Sequence, residues 1–113
     1  MAAIVIKRGD TLLISGVYKQ SNASPMDLTG YQLEVNVMNA NTDKSVITVI
    51  AGVSTANRSL TIENAVAGQF KLMVKDTEVL RDTDYYIDFK TTSDSGIEQT
   101  SKAIKLSVKT RLV

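Results

Sequence analysis

The sequence predicts an all-β fold, an antiparallel sandwich of about eight short strands, and three observations carry that prediction. Apolar residues recur with a period of two, which is the pattern of strands with one buried and one wet face. Clusters of Gly, Asn, Asp, Ser and Pro break the apolar runs at the short intervals typical of sandwiches. Only Asp76 to Leu80 has the character of a helix, and it is about one turn long.

Taken in order, Ile4 to Ile6 is a β-branched apolar run that stops at Arg8-Gly9-Asp10, a turn in which Gly9 permits positive φ. Leu12 to Tyr18 forms the next run and ends in Ser21 to Pro25. A second turn, Asp27 to Gly30, opens a long strand in which Tyr31, Leu33, Val35 and Val37 alternate with Gln32, Glu34, Asn36 and Met38. The polar segment Asn39 to Asp43 reverses the chain into Val46 to Val53, and Leu60 to Ile62 follows. Phe70, Leu72 and Val74 then alternate with Lys71, Met73 and Lys75. In the connector, Asp76 is placed to cap the amides that follow, and Glu78 lies near the positive end of the turn. Tyr85, Ile87 and Phe89 alternate with Tyr86, Asp88 and Lys90, Ser93 to Gly96 makes a polar hairpin, and Ile104, Leu106 and Val108 close the set. With no internal repeat and no Pro- or Gly-rich linker, residues 1–113 read as one domain.

A chain of 113 residues is long enough for an unaided hydrophobic core. Thirteen basic against twelve acidic residues leave no field that would draw the protein onto nucleic acid or an anionic membrane. There is no cysteine and no histidine, which excludes disulfides, the usual zinc sites and imidazole catalysis. The apolar opening is interrupted at Lys7-Arg8 too early for a signal h-region or a membrane span, so the expectation is a protein made and used without secretion.

Several motifs have plain readings. Arg8-Gly9-Asp10 matches an integrin-binding tripeptide, but a glycine between two charged residues is also an ordinary tight turn. Asn22-Ala23-Ser24 and Asn57-Arg58-Ser59 match the glycosylation pattern and mark exposed loops. Asp82, Asp84, Asp88 and Asp94 have no calcium-loop spacing, and alternation sends Asp84 and Asp88 to solvent. Lys71, Lys75, Lys90, Lys102, Lys105 and Lys109 form wet strand faces, where positive charge discourages sheet-to-sheet pairing. No catalytic residue, cofactor site or metal site is expected.

The candidate functional residues are apolar ones that face the wrong way. Met38, Met73 and Tyr86 fall on outward positions, and Ile4 and Leu112 lie in terminal segments that a lone domain leaves uncovered. Such residues mark either surfaces where proteins meet or positions covered by a second layer of packing within the fold.

Two segments resemble a known group. Ile6-Lys7-Arg8-Gly9-Asp10-Thr11 followed by a strand, and Ser24-Pro25-Met26-Asp27-Leu28-Thr29-Gly30-Tyr31 opening the next, are similar to the "RGDT" and "VDLTGY" turns of small phage and prophage proteins. The later layout of connector, Tyr-rich strand, polar hairpin and closing strand is similar too. The resemblance implies an immunoglobulin-like sandwich and a structural role in a tailed-phage virion, in its head, neck, tail or baseplate. It further implies synthesis in the bacterial cytoplasm and contacts with other virion proteins in a homo-oligomer or symmetric assembly. It carries over no active-site residue. The alternative is a sandwich that binds a surface glycan through its loops, for which Tyr18 and Tyr86 are the exposed-aromatic candidates.

Overall fold

In the computed structural model, which describes residues 3–19, 24–53, 55–81 and 83–109, eight strands form two sheets. They are β1 (Ala3–Lys7), β2 (Leu12–Val17), β3 (Gln32–Asn39), β4 (Ser45–Ile50), β5 (Arg58–Asn64), β6 (Gln69–Val74), β7 (Asp84–Thr92) and β8 (Glu98–Lys109). A 3-10 turn at Thr77–Val79 stands where the short helical connector was expected. The larger sheet has the order β1-β8-β7-β3-β4 and the smaller β2-β6-β5, an order compatible with an immunoglobulin-like Greek key.

Alternation decides which residues face inward. Leu33, Val35 and Val37 of β3, Tyr85, Ile87 and Phe89 of β7, and Leu106 and Val108 of β8 are buried against Leu12, Ile14, Leu60, Phe70, Leu72 and Val74 of the smaller sheet. The Phe70 and Phe89 rings meet across the two sheets at 5.0 Å between centroids, and Tyr18 packs edge-on to Phe89 at 6.1 Å. Thr91 shares this inward face, and its hydroxyl is buried with no hydrogen bond.

The strands depart from the sequence expectation in three ways. Among the described residues, pairing is antiparallel except at one place: β1 runs parallel to β8, with Ala3 opposite Lys105 and Lys7 opposite Lys109. A four-residue turn carries the chain from β1 straight into the other sheet, so β1 has no hairpin partner and docks on the last strand instead. The fourth strand stops at Ile50 rather than Val53, because Gly52 takes φ +86 and the Val53 amide bonds back to the Ile50 carbonyl at 3.0 Å. The last strand begins at Glu98, six residues before its first inward apolar side chain at Ile104, because it pairs along the whole of β7.

A turn that lacks a polar signature joins β5 to β6. It spans Ala65 to Gly68, and Gly68 has φ +70. A Cβ there would lie 2.6 Å from the Met26 carbonyl oxygen and 2.8 Å from that of Tyr18, so only glycine lets these backbones approach.

Candidate interaction surfaces

The two motifs that carry the resemblance are both corners where the chain changes sheets. At the first, Lys7 to Asp10 form a turn closed by the Asp10 amide on the Lys7 carbonyl at 3.0 Å, with Gly9 at φ +97. This turn is docked on the β6–β7 connector. The Gly9 amide donates to the Thr77 hydroxyl at 2.9 Å, that hydroxyl donates to the Asp10 carbonyl, and Arg8 Nε donates to the Leu80 carbonyl at 2.8 Å. The arginine and glycine of the tripeptide are thus engaged within the fold.

At the second corner the Asp27 carboxylate accepts the Thr29 amide at 2.9 Å, and the Tyr31 amide closes the turn on the Leu28 carbonyl at 3.0 Å. The Thr29 hydroxyl and amide hold the Asp27 carboxyl below its ordinary pKa. Leu28 is buried, and its amide reaches the Ala65 carbonyl at 2.7 Å, which anchors the corner to the smaller sheet before β3 enters the larger one.

The connector between β6 and β7 differs from expectation in its chemistry. Asp76 does not cap the 3-10 turn with its side chain. Its carboxylate is bidentate to Arg58, at 3.1 Å from Nε and 2.8 Å from the second guanidinium nitrogen, and this pairing lowers its pKa. Fork geometry satisfies both carboxylate oxygens better than a single amide would. Past the turn, the Tyr85 hydroxyl accepts the Arg81 amide at 2.8 Å. A tyrosine early in the strand that bonds its own upstream backbone is compatible with the tyrosine corner of immunoglobulin-like sandwiches. Sequence reasoning read Tyr85 only as an inward aromatic, although a tyrosine opening a strand just after a connector is the signal for it.

The five candidate contact residues do not converge. Met38 and Tyr86 are cross-strand neighbours on the outer face of the larger sheet, each half-buried. The Tyr86 hydroxyl donates to the Asp43 carboxylate in the β3–β4 hairpin, which pushes its pKa up to about 12. Met73 lies on the outer face of the other sheet, half-buried, with Leu13 beside it. Ile4 turns inward and packs against the core, because it is in register with buried Leu106, and its neighbour Val5 takes the exposed side. Leu112 lies outside the described residues.

Polar side chains fill much of the larger sheet's outer face. Asn36 accepts from the Ser45 and Thr48 hydroxyls at 3.0 and 2.6 Å and donates to Glu34 at 2.8 Å. Lys90 pairs with Glu98 at 3.0 Å, which raises the lysine pKa, and Asp84 accepts the Ser107 hydroxyl at 2.9 Å. Lys71, Lys75, Lys105 and Lys109 are exposed. Among the described residues no three carboxylates come together as a metal site, and Asp82 lies outside them.

The exposed apolar residues are ones the alternation argument passed over: Val5, Leu13, Val17, Val46, Val53, Val66, Val79 and Ile97. Leu13 and Val17 carry the signal most clearly, since they sit out of phase with inward Leu12 and Ile14 in an apolar run that hides its own alternation. Beside them a shallow groove of about 280 Å³ is lined by Ser15, Gly16, Val17, Glu63, Gln69 and Phe70.

No model of a known protein family matches the chain, and a search of curated proteins found no match.

Proposed function

We propose that the protein is a non-enzymatic structural component of a tailed phage or prophage virion, made in the bacterial cytoplasm and built into the particle by protein–protein contacts. The observation that supports this reading most is the use made of the two resemblance motifs. Both are corners that tie the sheets together, so what they specify is a rigid scaffold, with its sheet edges and outer apolar residues left for neighbours. Symmetric assemblies stabilise such subunits collectively, each held by several weak interfaces.

Glycan binding draws less support. A sugar ring needs an aromatic face, whereas the ring at the groove, Phe70, is 5% exposed, and Tyr18 is packed against Phe89.

Mass spectrometry of phage particles induced from the encoding bacterium tests the proposal. A fixed ratio of this protein to the major capsid subunit is the expected result, and its presence in the lysate supernatant alone would overturn it.

A further inference from the structure

We infer that two copies of the chain associate through the free edge of β2, pairing antiparallel about a twofold axis at Ser15 to make one six-stranded sheet. This deepens the assembly reading and rests on it only in that copies of the chain meet.

Within the described residues β2 has β6 on one side and no strand on the other. The Tyr18 amide bonds the Gly68 carbonyl at 2.8 Å opposite it, which fixes the alternation of the ladder. Tyr18, Gly16, Ile14 and Leu12 turn their backbone groups to β6, and Leu13, Ser15 and Val17 turn theirs outward. A row of unpaired amides and carbonyls is a template for another strand.

The edge is self-complementary. Leu12–Val17 contains no charged residue, proline or bulge, the features that usually block such pairing. With Ser15 opposite Ser15 of the second copy, Leu13 falls opposite Val17 of that copy, and Val17 opposite Leu13. Leu13 is 56% and Val17 39% exposed in the single chain, on one face, so each covers the other. The same register brings Leu13 of the second copy beside the groove next to Val17. At both ends of the paired strands, exposed Asp10 of one copy comes within a residue of exposed Lys19 of the other, so the charges are complementary.

The other edges fit worse. On β4, the Ile50 carbonyl is taken by the Val53 amide at 3.0 Å and the Thr48 hydroxyl by Asn36. The β5 edge carries Arg58 and Glu63, and β1 ends in Lys7.

Sedimentation velocity over a dilution series, with the purified wild-type chain, Leu13→Lys and Ser15→Cys, tests the inference. The chain has no native cysteine, so the introduced thiol is unique. The expected result is a wild-type dimer, a Leu13→Lys monomer with an unchanged circular dichroism spectrum, and a Ser15→Cys variant that cross-links to itself under mild oxidation. Thr61→Cys, two strands away on β5, should not cross-link. A wild-type chain that stays monomeric, a dimer that survives Leu13→Lys, or equal cross-linking by Thr61→Cys would overturn it. A dimer in a protein absent from virions would remove the virion reading and leave this contact standing.

Discussion

Gly68 shows how much one backbone position can hold. It sits where the β5–β6 turn passes the carbonyls of Tyr18 and Met26, in a conformation that costs an L side chain about 1–2 kcal/mol even in open space. Since those oxygens leave no room, Gly68→Ala should destabilise the protein by about 3 kcal/mol, adding overpacking to the backbone strain. Urea unfolding measures it. Thr91 invites the opposite change. Its buried hydroxyl lacks a partner, so Thr91→Val keeps the shape, removes the desolvated group, and should raise stability by about 1 kcal/mol in the same assay. The Tyr86 phenol gives a pH signature. Its folded pKa, about 12, lies above the ordinary value of 10.0, so the contribution of its bond to Asp43 is fully present below pH 10 and is lost as pH rises through 12. Tyr86→Phe should flatten that part of the stability profile, measured by urea midpoints across the alkaline range.

Among the elements, the connector and the first turn act as one joint. Thr77 lends its single hydroxyl to both, accepting from Gly9 and donating to Asp10. Thr77→Val leaves a part-buried amide and carbonyl without that bridge and should cost about 1 kcal/mol, while Thr77→Ser should recover most of it. Thermal unfolding of the pair separates the hydroxyl from the packing. This joint was half legible in the sequence. Gly9 announced its turn and Asp76 to Leu80 its short helix, but nothing local says that two segments 68 residues apart share a hydroxyl. Inward faces were the most legible feature, since period two places Leu33, Val35 and Val37 without any knowledge of neighbours. Strand length was less so: Glu98 to Ser101 is polar and became strand because β7 offered a partner. The β2 edge was hidden for the converse reason. In Leu12-Leu13-Ile14 every residue is apolar, so the run tells nothing about which side chain is left in water.

For the whole molecule, topology matters more than any one contact. Four of the seven connections between successive strands cross from one sheet to the other, so neither sheet can be completed without the other. The first and last strands also lie side by side and run in the same direction, joined from Ala3 opposite Lys105 to Lys7 opposite Lys109. Tension applied at Ala3 and at Lys109 would therefore pull along the axes of both strands in opposite senses. Every rung between them would be loaded together in shear, whereas a hairpin pulled open from its ends would lose its rungs one at a time. Single-molecule pulling through those two residues should give a higher rupture force than pulling through the two ends of the β7–β8 hairpin, at Asp84 and Lys109. A subunit wired in this way can pass a mechanical load through itself without unfolding.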